Sequence, residues 1–195
     1  MVKAILKEER YVLDNEAVEI TLSRGKLVTV TGPKGTLKRS FANTPAQVIA
    51  EYNDDKKIKG LVVRVWFAKS KARSIITTIV SHIRNMVTGV TSGYHTVMKY
   101  GFNLTPMLPV AIENGQALQV TNYLGEKIIR KIRAGKGCSI SSANSDAKKE
   151  IDVYGLDKEQ VGQTCARIQQ SCKPKNKDRR KFKDGIYTYL RKLQN

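Results

Sequence analysis

The sequence predicts an α+β protein of two tandem, duplicated domains, each an antiparallel sheet packed against one helix, with a basic C-terminal tail. Three observations carry that prediction: period-two alternation in several short segments, two segments of helical period, and self-similarity of the halves at offsets of 88 and 90 residues. The expected boundaries are 1–88 for the first repeat, 89–95 for a linker, 96–172 for the second repeat and 173–195 for the tail.

In AVEITL, Val18, Ile20 and Leu22 share one face of a half-buried strand; SRG turns the chain and KLVTVT returns as the other arm of a hairpin. The GPKG of residues 32–35 has proline second and glycine fourth, which suits a tight turn into a third strand, TLKRSF. GLVVRVWFA is a further strand with Val63 and Val65 on one face. SKARSIITTIVSHIRNMV then lines Ile75, Ile76, Ile79, Val80, Ile83, Met86 and Val87 along one helical stripe, which ends where it meets Gly89 and Gly93.

The second half repeats the order. ALQVTNYLGEKIIRKI matches KLVTVTGPKGTLKRSF, with Val120 and Thr121 in place of Val30 and Thr31 and Gly125 in place of Gly35. IDVYGLDKEQVGQ matches VRVWFAKSKARSI and sets Ile151, Val153 and Tyr154 opposite Val63, Val65 and Trp66. The second helix buries Val161, Cys165, Ile168 and Cys172, and Asp157 followed by Gln160 resembles a capping box.

Composition narrows the function. There are 35 Lys plus Arg against 17 Asp plus Glu, a net charge of +18 and a pI near 9.9. Such an excess repels itself and is relieved by a polyanion that releases counterions on binding, so nucleic acid is the expected partner. A membrane partner would need a basic amphipathic helix, a lipidation signal or an apolar run of about 20 residues, and the sequence has none of them. The start, MVKAILKEER, is too short in apolar residues for a signal peptide, and Glu8 and Glu9 argue against a transit segment, so a soluble intracellular protein is expected. Cys138, Cys165 and Cys172 form no CxxC pair and read as small core residues.

No catalytic residue, metal ligand set, cofactor or small-molecule substrate is predicted. His82 and His95 stand in no metal-binding pattern, and His82 reads as a satisfied, partly buried histidine. GPKGTLKRS lacks both the glycine spacing and the GK[ST] of a phosphate loop, and no G-x-S-x-G elbow occurs.

The C-terminal KPKNKDRRKFKDGIYTYLRK carries nine cations against Asp178 and Asp184, interleaved with Phe182, Tyr187 and Tyr189. This mixture suits phosphate contacts with stacking on exposed bases, while FKDGIYTYL could equally dock on the body through Phe182, Ile186 and Leu190. NMVTGVTSGY, NYLGEKIIRKIR and KNKDRRKFKDGIY, in this order around a duplicated body, resemble the large-subunit ribosomal protein L six family. The likeness is to its eukaryotic and archaeal form, called L nine in eukaryotic cytosolic ribosomes, and covers nearly the whole chain.

The resemblance implies a non-catalytic constituent of the large subunit that binds ribosomal RNA near the sarcin–ricin region, with neighbouring ribosomal proteins and translational GTPases close by. It implies a cytoplasmic location and, in a eukaryote, passage through the nucleolus. The RNA-facing candidates are Lys173, Lys175, Lys177, Arg179, Arg180, Lys181, Lys183 and Tyr187 in the tail. To these the resemblance adds Gly89, Thr91, Gly93 and Tyr94 in the linker and Lys127, Arg130 and Lys131 at the second-half turn. The alternative is a free-standing RNA-binding assembly or regulatory factor.

Overall fold

The computed structural model describes residues 4–13, 17–24, 26–53, 58–102, 105–145, 148–178 and 180–194. The chain forms two compact units, residues 1–91 and 92–195. In the first, β1 (Ala4–Val12), β6 (Ile58–Ala68) and β5 (Gln47–Tyr52) make one antiparallel sheet in the order β1-β6-β5, and β2 (Glu19–Ser23), β3 (Leu27–Gly32) and β4 (Gly35–Ser40) make a second. Helix α1 (Ser70–Thr91) completes it. Alternation sends Ile20, Val28, Val30, Leu61 and Val63 into one core, where the stripe of Ile76, Ile79, Ile83 and Val87 meets them.

The second unit repeats this plan with β7 (Tyr94–Gly101), β8 (Leu108–Ile112), β9 (Ala117–Thr121), β10 (Arg130–Arg133), β11 (Cys138–Ser145), β12 (Lys148–Gly155) and α2 (Lys158–Ser171). Its core gathers Met98, Leu118, Val120, Ile151, Val153 and Ile168. Asp157 caps α2, its carboxylate accepting from Glu159 N at 3.0 Å. The expected α+β tandem holds, with each repeat's strands divided between two sheets.

Three features differ from the sequence reading. First, β1 and β5 are additional strands: β1 is AILKEERYV, whose charges mask any alternation. Second, α1 runs past Gly89 to Thr91, so residues 89–91 are helix and β7 opens at Tyr94. Gly89 is buried inside the helix, and the stop falls at Gly93, whose φ of 73° a side chain would oppose. Third, the tail is half strand. β13 (Gly185–Leu193) pairs antiparallel with β7, giving the order β11-β12-β7-β13, a fourth strand with no counterpart among the described residues of the first unit. Ile186 docks in the core as expected, but a bulge between Thr188 and Leu190 breaks the alternation, and Leu190 stays 38% exposed.

The GPKG turn has a packing reason. A β-carbon on Gly32 would come within 2.7 Å of Val90 Cγ2, and Lys34 N donates to Val90 O at 3.0 Å, so the turn seats against the end of α1. His82, partly buried, receives Arg39 Nη2 at 3.5 Å from its Nε2. The three cysteines are buried, and burial raises each thiol pKa, that of Cys165 to about 11.

Candidate nucleic-acid interface

Most of the basic residues of the C-terminal segment lie in a loop between α2 and β13, with Arg191 and Lys192 on β13 itself, and both ends of that loop are held by one side chain. Tyr123 is 1% exposed. Its hydroxyl lies 3.0 Å from the carbonyl oxygen of Cys172, just before the loop, and 3.3 Å from that of Asp184, just after it. The tyrosine reaches this position because the chain winds tightly after β9. Asn122, Leu124 and Gly125 all have positive φ, of 56°, 52° and 75°, and the 3-10 turn Tyr123–Gly125 drives the ring inward. Leu124 accepts a conformation that ordinarily costs a non-glycine residue about 1 kcal/mol or more. Burial is the main cause that pushes the phenol pKa up to about 12, so it stays a donor.

Asp178 organises the loop from within. Its carboxylate accepts from Arg180 N at 2.9 Å and pairs with the Arg180 guanidinium, also at 2.9 Å. Its carbonyl accepts from Lys181 N at 3.1 Å and Phe182 N at 2.9 Å. The bonds from Arg180 hold the Asp178 carboxyl below its ordinary range. Lys177 Nζ sits 4.8 Å from the centre of the Phe182 ring, and Tyr187 OH donates to Lys183 O at 3.3 Å. The result is a short turn that displays Lys173, Lys175, Lys177, Lys181 and Lys183, all exposed and none with an acidic partner among the described residues. Arg180 is exposed but already paired, and Arg179 lies outside the described residues.

The second-half turn sorts its cations by strand register. Arg130 pairs with Val120 and Lys131 with Gln119, so successive side chains take opposite faces. Arg130 faces inward: its side chain is 15% exposed, its Nη2 pairs with Glu126, and its guanidinium lies 4.7 Å from the centre of the Tyr123 ring. It is paired and supports the tyrosine that ties down the loop. Lys127 and Lys131 point to solvent, with Lys131 ion-paired to Glu113.

The four residues expected in a linker are structural as placed. Gly89 and Gly93 are buried. Thr91 Oγ1 lies 3.0 Å from Val87 O and donates back into α1. Gly93 O accepts from Gln194 N at 3.1 Å, and Tyr94 packs on the second core.

Two features escaped the sequence reading. Tyr123 gave no signal beyond being an aromatic in a turn. On the sheet face away from α2, Lys99 Nζ stands 3.8 Å from the centre of the Tyr189 ring, and His95 stacks on Tyr154 at 4.4 Å while bonding Asp152 at 2.8 Å. Only the pairing of β13, β7 and β12 brings these groups together.

Fold and site thus define a duplicated α+β protein that displays a fixed cationic loop. The family model described as ribosomal protein L6 matches this chain twice, over residues 16–93 and 110–185. The large ribosomal subunit protein uL6 of Tetrahymena thermophila is 37% identical over 178 residues, covering 91% of each chain, and so is that of Aeropyrum pernix. The uL6A protein of Schizosaccharomyces pombe is 37% identical over 164 residues, 84% of this chain and 83% of its own. The chain belongs to the ribosomal protein L6 family, and it is a structural protein, not an enzyme.

Proposed function

We propose that this structural constituent of the large ribosomal subunit binds ribosomal RNA through the loop of residues 173–183, acting as a preformed electrostatic clamp. The binding site is near the sarcin–ricin region, where translational GTPases dock, and serves cytoplasmic translation; in a eukaryote the protein reaches it by way of the nucleolus. The observation that carries the reading is the anchoring of both loop ends to Tyr123. A free polycation would bear the full ordering cost of its backbone on binding, about 1–2 kcal/mol per residue. A loop closed at both ends and folded around Asp178 has met much of that cost in the folding of the second unit. Its lysines meet phosphates by position, and shape rather than sequence is recognised, because an A-form helix hides its base edges in a deep, narrow groove.

Lys127 supplies a further contact in this reading, and Tyr187 a ring beside the loop. Arg179 and Arg180 contribute to the local positive potential.

The test is the triple charge reversal Lys175→Glu, Lys181→Glu, Lys183→Glu. Log affinity for a large-subunit RNA fragment should fall with log salt less steeply than in the wild type by about 2, taking about 0.7 to 0.9 per phosphate contact. The fold should be unchanged, because exposed cations contribute little to stability. On a sucrose gradient in moderately high salt, the wild type should sediment at one copy per mature large subunit. An unchanged salt slope removes the loop from the interface, and confinement to precursor particles makes the protein an assembly factor.

A further inference from the structure

We propose that the outer face of the β8–β9–β10 sheet is a docking surface for a second protein that presents an acidic, aliphatic segment. On the inner face Leu118, Val120 and Ile132 join the core. On the outer face Leu108 is 54% exposed and Val110 41%, and Ile129, immediately before β10, is 60% exposed. Lys131 and the exposed Arg133 stand beside them on the same face.

The duplication supplies the control. In the first repeat the same face carries Glu19, Thr21 and Ser23 on β2, Leu27, Thr29 and Thr31 on β3, and Thr36, Lys38 and Ser40 on β4, and the aliphatic among them, Leu27, is only partly exposed. The fold therefore has no need of well-exposed aliphatics there, since one repeat stands without them. Branched aliphatic chains left in water are explained by a surface that covers them. They offer no ring for a base to stack on and give nothing to a phosphate, which separates this face from the Tyr187 and Lys183 region and argues for protein over RNA. The cations select the partner's charge: Lys131 and Arg133 both act on Glu113 and outnumber it, which leaves positive charge to meet carboxylates at the rim.

The inference rests on the ribosomal reading for where the partner is met, so the test separates the two. The full chain carrying Val110→p-benzoylphenylalanine is expressed in cells, large subunits are isolated on a gradient, and these are then irradiated. Sedimentation reports on the ribosomal reading and the adduct on this one. The expected adduct is on a single different protein, at a peptide holding aliphatic residues flanked by at least two carboxylates. Adding Lys131→Glu and Arg133→Glu should lower its yield about tenfold. The same probe replacing Lys38, on the matching face of the first repeat, should give no such adduct. Adducts on ribosomal RNA, on lipid, on a basic peptide or on a second copy of this chain, or no adduct at all, each overturn the proposal. If the position-110 variant stays out of the subunit, the probe moves to Leu108 and the same outcomes decide.

Discussion

Replacing Tyr123 with phenylalanine would remove one oxygen from the second core while keeping the ring that fills it. The ring's packing survives, so the roughly 3–5 kcal/mol expected for truncating a buried aromatic to alanine does not apply. What is lost is a hydroxyl 3.0 Å from Cys172 O and 3.3 Å from Asp184 O, in a site where the residue is 1% exposed. A net hydrogen bond is worth about 0.5–1.5 kcal/mol, and acceptors left without their donor add to that, so a loss of about 1–2 kcal/mol is expected. Urea unfolding should show it as a lower midpoint at unchanged slope in the transition of the second unit.

The same change should loosen the loop. If one further residue must then be ordered on binding, RNA affinity falls roughly tenfold, since 1.4 kcal/mol is a factor of ten. The salt slope should stay the same, because every cation is still present. The pH dependence has a definite sign. With the folded phenol pKa at about 12 against an ordinary value of about 10, the stability that Tyr123 contributes is whole below pH about 10 and is lost as pH rises through about 12. The stability difference between wild type and Tyr123→Phe should therefore be flat up to pH about 10 and collapse above it. A loss below about 0.3 kcal/mol with unchanged RNA affinity would refute the idea that this hydroxyl holds the loop.

Ile79 is 1% exposed in the stripe of α1, and Ile79→Ala should lower the stability of the first unit by about 2–5 kcal/mol while leaving the second unit's urea transition in place. A change under about 0.5 kcal/mol would remove Ile79 from the core. Iodoacetamide at pH 8 should label Cys138, Cys165 and Cys172 only slowly in the folded chain, because burial keeps the thiols protonated, and all three should label together after urea unfolding. Rapid labelling of any one of them in the folded protein, read by mass spectrometry, would contradict its burial.

The duplication explains why the chain can use one plan for two ends. The register is the same in both small sheets: Ser40 lies opposite Leu27 as Arg133 lies opposite Ala117. Between those paired residues the second copy holds three more residues, and that excess goes into the turn that buries Tyr123. The second copy also gains β13 along β7, on the edge that corresponds to the open edge of β1 in the first. Both additions serve the basic loop, which lies between α2 and β13 and is held by that turn.

The class of fold, the two helices, the hairpin strands and the polyanion partner can all be read along the chain, because each is written in local terms. Alternation places Val28 and Val30 on one face, a 3.6-residue period collects Ile76, Ile79 and Ile83, and net charge needs no structure to sum. Which cations face outward is set by contacts between distant parts of the chain. Arg130 and Lys131 are neighbours of like charge in the chain, and strand pairing turns one toward Tyr123 and the other toward solvent. Tyr123 and the carbonyls it holds are 49 and 61 residues apart, a separation over which no local pattern carries information. The bulge that leaves Leu190 outside is likewise a property of the β7 pairing and not of the segment. Local propensity is short-ranged, whereas a loop's shape is set where distant groups satisfy one another's hydrogen bonds away from water.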